Sequence, residues 1–168
     1  MIKLIVFDVD GTLTDGKLYI DNFGNEMKSF DVKDGLAIAQ AIKFGIKVAF
    51  LTGKSSKIVE RRGAELGVQE IRQGVSNKVK ELEEILEKYS ITYQETAYMG
   101  DDLIDLQVMK KVGLAGAPRD AVNEILEIAT FISKKDGGAG AAREFVEKIL
   151  REQGHWEKIV ENFENRAQ

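Results

Sequence analysis

Asp8 and Asp10 stand two residues apart at the end of the apolar run from Ile2 to Phe7, and Gly11, Thr12 and Thr14 follow at once. At a strand end, that spacing sends both carboxylates to the same side. Thr96–Met99 is a second apolar run, closed by Gly100 and then Asp101, Asp102 and Asp105; a third, Ile46–Leu51, is closed by Thr52 and Gly53. Five carboxylates converging on one edge repel each other unless a cation lies among them. Ligands that are all oxygen select a hard ion. Mg2+ fits because it takes few protein carboxylates and fills its octahedron with waters and substrate phosphate. Asp34, Asp120 and Asp102 read instead as helix N-caps, which does not explain acids at several strand ends at once.

Composition narrows the chemistry further. The 168 residues contain no cysteine and a single histidine, His155 near the C-terminus. Thiolate nucleophiles, disulfides, cysteine-bound metals and multi-imidazole zinc centres are therefore excluded, and acid–base work falls mainly to Asp, Glu, Lys or Tyr. A formal net charge of −4 argues against a nucleic-acid binder. The N-terminal apolar run is too short for a signal peptide or a membrane span, so a cytoplasmic protein is expected, with no membrane partner.

The elements that must position these residues alternate. The apolar runs at 2–7, 46–51 and 96–99 read as strands buried on both faces, with weaker strands at 70–72, 112–115 and 130–132. Helical spacing predicts helices near 34–45, 55–67, 76–89, 103–111, 120–128 and 140–153, with Pro118 opening the fifth. This alternation predicts an α/β fold with a doubly wound, mostly parallel, Rossmann-like sheet. Ligands of such sheets bind beyond the C-terminal strand ends, where the acids stand. Residues 13–32 interrupt the first crossover: Leu18–Tyr19–Ile20 and Met27–Phe30 flank a turn at 22–25 and predict a β-hairpin. The chain reads as one domain over 1–168, with a C-terminal tail at 154–168 whose Trp156, Ile159, Val160 and Phe163 form one helical face.

These residues carry a resemblance. Asp8–Val9–Asp10–Gly11–Thr12–Leu13–Thr14 resembles the first motif of the haloacid dehalogenase superfamily, Thr52–Gly53 its second, Lys78 its third, and Gly100 to Asp105 its fourth. The resemblance implies a phosphatase. In that reading Asp8 is the nucleophile that becomes an aspartyl phosphate, and Asp10 is the general acid and base. Asp8, Asp101 and the backbone carbonyl of Asp10 hold Mg2+. Thr52 and Gly53 grip the phosphoryl oxygens, and Lys78 neutralises charge. Gly11 permits a backbone conformation that lets the Thr12 amide approach the phosphate.

Only the hairpin fills the first insertion slot, and Thr52 to Lys78 leaves no room for a second insertion, so no cap domain is expected. The finer pattern, including Lys28 to Gly35, Thr52 to Arg62 and Gly137 to Glu144, is similar to the superfamily's phosphatases of 3-deoxy-D-manno-octulosonate 8-phosphate. That implies a sugar-acid phosphate substrate from lipopolysaccharide synthesis and a homotetramer built through the 13–32 hairpin. Lys33, Asp34, Gly35, Lys54 and Arg62 are then expected around the substrate, with Asp10, Gly53 and Lys78. Lys54 departs from the family's more frequent arginine, which loses a bidentate grip on a carboxylate. Ala139 departs from a basic residue. A phosphatase of a nine-carbon, sialic-acid-type 9-phosphate shares the same motifs. A Mg2+-binding phospho-receiver signalling module also clusters aspartates with a Thr and a Lys, but accepts phosphate on an Asp after a later strand.

Overall fold

The computed structural model describes residues 1–166, so the last two residues of the expected tail lie outside the described residues. Along the chain run β1 (Leu4–Phe7), β2 (Tyr19–Ile20), β3 (Glu26–Met27), α1 (Val32–Lys43), β4 (Lys47–Leu51), α2 (Lys57–Leu66), β5 (Glu70–Arg72), α3 (Lys78–Tyr89), β6 (Thr96–Met99), α4 (Leu106–Met109), β7 (Leu114–Ala117), α5 (Asn123–Ile128), β8 (Phe131–Ile132), α6 (Ala141–Glu152) and α7 (Trp156–Glu164). Six strands form one parallel sheet in the order β5-β4-β1-β6-β7-β8, while β2 and β3 pair antiparallel as a separate hairpin.

The central strand shows why this order forms. Every residue of β1 is buried. Ile5 and Phe7 enter the cluster made with α1, α6 and α7, whereas Leu4 and Val6 enter the cluster made with α3, α4 and α5. A strand with β-branched and large apolar residues on both faces needs helices on both sides. Each such side chain contributes roughly 1.5–3 kcal/mol relative to exposure. Phe7 pairs in register with Phe50 of β4 on one side and Met99 of β6 on the other. That register brings the strand ends together, so Asp8 and Gly100 leave the sheet level with Leu51, and Thr52 follows one residue beyond.

Several boundaries differ from the sequence reading. α1 starts at Val32, with Asp31 as N-cap, so Asp34 lies inside the helix and caps nothing of its own element. Asp120 accepts from the Gly137 amide and is no helix cap either. Pro118 sits in the turn after β7, and α5 begins only at Asn123. β7 lies two residues beyond the expected 112–115. The expected helix at 103–111 splits into one 3-10 turn, Leu103–Asp105, and the short α4. Asp102 caps that turn as expected. Trp156 and Ile159 of α7 are buried against the α1/α6 side of the sheet. No helix among the described residues is long and apolar enough to cross a membrane.

Candidate active site

Asp8 follows Phe7 directly and is almost wholly buried, and its amide donates to the Met99 carbonyl at 3.0 Å. Lys78 is the first residue of α3, a helix capped by the Asn77 side chain. Its Nζ donates to Asp8 Oδ1 at 2.8 Å, to Asp105 Oδ1 at 2.8 Å and to the Tyr98 hydroxyl at 3.1 Å. The Tyr98 hydroxyl itself donates to Asp105 Oδ1 at 2.6 Å. Burial alone would lower the Lys78 pKa, but the Asp8 and Asp105 carboxylates outweigh it and raise it, so the amine stays charged.

Asp105 is saturated. Its Oδ1 takes Lys78 and Tyr98, and its Oδ2 takes the amides of Asp101 and Asp102 at 3.0 and 3.3 Å. It therefore clamps the loop after β6 and aims Asp101 at Asp8. Asp101 also accepts from the Thr12 hydroxyl at 3.2 Å. Burial, and then the adjoining Asp8, push the Asp101 carboxyl well up; burial and then Asp105 raise Asp8. Two carboxyls that oppose each other's ionisation fit a divalent cation. Asp8, Asp101 and Asp105 each bring an oxygen within 4.8 Å of the others. With Asp105 fully engaged, the ligands that fit Mg2+ are Asp8 and Asp101. The Asp10 carbonyl accepts no backbone hydrogen bond among the described residues and is free to be a third.

Gly11 takes φ +92°, and a Cβ there would lie 1.9 Å from Asp101 Oδ2, so only glycine lets the first loop meet the fourth motif. The Thr12 amide, by contrast, bonds back to the Val9 carbonyl at 3.2 Å and is not left open as expected. Thr52 is buried at the end of β4, and Gly53 is exposed beside it. Neither the Thr52 hydroxyl nor the Gly53 amide has a partner among the described residues, so both remain available as donors to an anion. An open cleft of about 410 Å³ runs past Gly53, Ser76, Lys78, Leu103 and Ile104.

The expected substrate residues gather less closely. Asp34, Gly35 and Arg62 line a narrow second cleft with Phe30 and Leu13, the last from the loop that carries Asp10. Arg62 lies against Gly35, where a Cβ would be 2.3 Å from its guanidinium, and over the Phe30 ring at 5.6 Å. Lys33 and Lys54 are exposed. Among the described residues, none of these five hydrogen-bonds the side chain of Asp8, Asp10, Thr52 or Lys78.

Asp34 is buried, its Oδ1 accepts from the Arg143 amide at 2.8 Å, and its Oδ2 has no partner among the described residues. It thus caps the start of α6 from the side of α1. Burial lifts its pKa from 3.8 to about 7, against the opposing pull of the Arg143 amide. An acid with a raised folded-state pKa stabilises the fold below its unfolded value and loses that contribution as pH rises through the folded one. Asp34→Asn keeps an acceptor for Arg143 without the charge. Thermal melts should show the variant gaining on the wild type as pH rises from 3.8 to about 7. Parallel melting curves across that range would refute this assignment.

Four groups at the site were given no role by the sequence reading, although three of them lie in its matched stretches: Lys28, Tyr98, Thr14 and the Gly137–Gly138 turn. Lys28 Nζ donates to Asp10 Oδ1 at 2.7 Å. The Thr14 hydroxyl accepts the Gly11 and Gly16 amides, both at 3.2 Å. Gly138 donates its amide to the Thr12 carbonyl at 3.2 Å, and a Cβ on Gly137 would lie 1.9 Å from the Gly11 carbonyl oxygen. The pair at 137–138, separated by Ala139 from the expected helix start at 140, was the available signal for this turn.

Comparison with known proteins agrees with this geometry. The haloacid dehalogenase-like hydrolase family matches residues 64–145. The 3-deoxy-D-manno-octulosonate 8-phosphate phosphatase of Escherichia coli K12 is 44% identical over 153 residues, covering 91% of this chain and 81% of that protein. A probable phosphatase structure from Pseudomonas syringae superposes with a TM-score of 0.97 at 42% identity, covering 99% of this chain and 94% of that one. The Moraxella catarrhalis 3-deoxy-D-manno-octulosonate 8-phosphate phosphatase, solved with magnesium, phosphate and its sugar acid, superposes at 0.94 with 37% identity, over 96% of this chain and 93% of that one.

Proposed function

The chain belongs to the 3-deoxy-D-manno-octulosonate 8-phosphate phosphatase family of haloacid dehalogenase-like hydrolases, and from that premise we propose that it hydrolyses this sugar-acid phosphate to the free sugar acid and phosphate. The observation that carries the reading is the contact of Lys78 with Asp8 beside Asp101 at the ends of β1 and β6.

In the first step an Asp8 carboxylate oxygen forms a bond to phosphorus while the bond to the sugar oxygen breaks, and Asp10 gives that oxygen a proton. In the second step water attacks the aspartyl phosphate, Asp10 takes the water's proton, and phosphate leaves with Asp8 restored. Lys78 keeps Asp8 oriented and offsets the charge gathering on the phosphoryl oxygens. The Thr52 hydroxyl and Gly53 amide are free to hold those oxygens. Mg2+ held by Asp8, Asp101 and the Asp10 carbonyl would supply the remaining positive charge that phosphoryl transfer needs.

Lys33, Asp34, Gly35, Lys54 and Arg62 are the residues assigned to the sugar acid. Arg62, a cation in the lining of the Leu13 cleft, supports a site for a second anionic group. We read the chain as one catalytic unit. The absence of cysteine suits a reducing, cytoplasmic setting. The hairpin turns Leu18, Ile20, Phe23 and Met27 outward, which supports its use as the contact in a homotetramer.

The test is phosphate release from 3-deoxy-D-manno-octulosonate 8-phosphate, a nine-carbon sugar-acid 9-phosphate and neutral sugar phosphates, each with Mg2+ and with a chelator. The eight-carbon acid should be preferred by kcat/KM and chelation should abolish turnover. Equal rates on neutral sugars would overturn the substrate, and turnover surviving chelation would overturn the cation.

A further inference from the structure

Each acid of the site is held by protein donors. Asp8 is held by Lys78, Asp101 by Thr12 and the clamped loop, and Asp105 by four donors. Asp10 has one. Its carboxylate is bonded to a single protein group among the described residues, the ammonium of Lys28, on Oδ1 at 2.7 Å. Its Oδ2 has no partner among them, and the side chain keeps 31% of its exposure, so that oxygen is free to take a partner.

Lys28 is an unusual residue for its place. It directly follows β3, on a hairpin whose Ile20 and Phe23 are 70% and 90% exposed. On this element the apolar side chains point outward and the lysine side chain, at 4% exposure, is the one turned in. Lysines on surface hairpins normally keep the ammonium in water. Burial works against the charge here, but Asp10 and Glu26, the latter at 3.2 Å, outweigh it and raise the Lys28 pKa. The ammonium is therefore charged and directed at the carboxylate assigned to proton transfer.

We propose that Lys28 is a positioning residue for the proton-transfer step: by occupying Asp10 Oδ1 it fixes the rotamer that presents Oδ2 to the oxygen of the departing alcohol and then to the attacking water. This rests on the role given to Asp10 above. It also makes the hairpin a part of the catalytic apparatus, since that insertion carries the only group among the described residues that orients the Asp10 carboxyl.

The leaving group separates this from a structural role. An alkoxide departing from a sugar phosphate needs the proton from Asp10. A p-nitrophenolate leaves without it. kcat/KM for 3-deoxy-D-manno-octulosonate 8-phosphate and for p-nitrophenyl phosphate should be measured in the wild type, Lys28→Met, Lys28→Arg and Asp10→Asn, each with a melting curve. Misplacing a reacting group by about 1 Å costs on the order of 100-fold. Lys28→Met should accordingly lose roughly 30- to 100-fold on the sugar ester and only about threefold on the aryl ester, with Lys28→Arg recovering part of the difference. Asp10→Asn should show the same selectivity more strongly. Equal losses on both esters in Lys28→Met, or no loss on either, while Asp10→Asn still discriminates, would overturn the proposal for Lys28 alone. No discrimination in Asp10→Asn would overturn the role of Asp10, and that of Lys28 with it.

Discussion

Asp8→Asn should abolish turnover and, at neutral pH without added metal, leave the protein as stable as the wild type or more so. The amide cannot form the acyl phosphate, and loss of a nucleophile costs on the order of 10⁵- to 10⁶-fold in kcat. Stability moves the other way. The substituted carboxamide still offers its oxygen to Lys78, which Asp8 Oδ1 meets at 2.8 Å, and no longer buries a charge next to Asp105 and Asp101. Burial and the Asp105 charge raise the Asp8 pKa above its ordinary 3.8. Its ionisation therefore costs the fold stability as pH rises from 3.8 to about 6, the cost is constant above that, and none exists below 3.8. Melting curves should separate in the variant's favour towards pH 8 and converge near pH 4. Acid quenching during turnover of a ³²P-labelled substrate should trap label on the wild type and none on the variant. Retained turnover would remove Asp8 from its assigned role, and a large drop in melting temperature would contradict its isosteric replacement.

Lys78→Met should have the largest effect on stability. It leaves Asp8 and Asp105, at 2% and 0% exposure, facing each other without their shared cation. Breaking a buried ion pair by removing one partner costs about 3–5 kcal/mol, or roughly 10 °C in Tm for a chain of this size. The raised Lys78 pKa means that its stabilisation is complete below 10.5 and is lost only as pH rises through the higher folded value. The cost therefore applies at every working pH. Turnover should fall by about 10²- to 10³-fold, the usual effect of removing one group that stabilises developing charge. Adding Asp105→Asn tells the two losses apart. The carboxamide oxygen can still accept the Asp101 and Asp102 amides, which now lie at 3.0 and 3.3 Å, while one stranded charge disappears. The double variant should regain several degrees of Tm and no activity. A single variant that melts with the wild type would show that Lys78 does not neutralise this pair.

The parts of the site that could be read from sequence are those that follow a strand. Asp8, Thr52 and Asp101 each stand directly or nearly so after an apolar run, and parallel register does the rest by bringing those ends together. Lys28 could not be read this way. It belongs to an insertion, and nothing in the period of Met27–Phe30 shows its side chain folding back towards Asp10. Tyr98 was hidden for a different reason. Within the run Thr96–Met99 it reads as one more apolar strand residue, and its hydroxyl gains meaning only once Lys78 and Asp105 converge on it. The misplaced cap has a local cause. Asp31 and Asp34 both precede apolar helical positions, and the choice fell to Asp31 because it takes the Lys33 and Asp34 amides, while Asp34 is drawn across to α6. The helix expected over 103–111 broke because Asp105 turns its side chain back to the amides at 101 and 102 and holds a tight 3-10 turn there.

The glycine turn at 137–138 has a consequence for the order of events at the ribosome. The nucleophile follows β1, a strand that needs the later segments β4 and β6 as neighbours on its two sides. The loop around that nucleophile is braced by backbone that emerges more than a hundred residues afterwards, since Gly137 packs on the Gly11 carbonyl and Gly138 bonds to Thr12. A nascent chain halted before that turn would carry every motif acid in its sequence and still lack the seat that arranges them. Hydrolytic competence thus arrives only once that turn has been made, and chains halted before it would be catalytically silent.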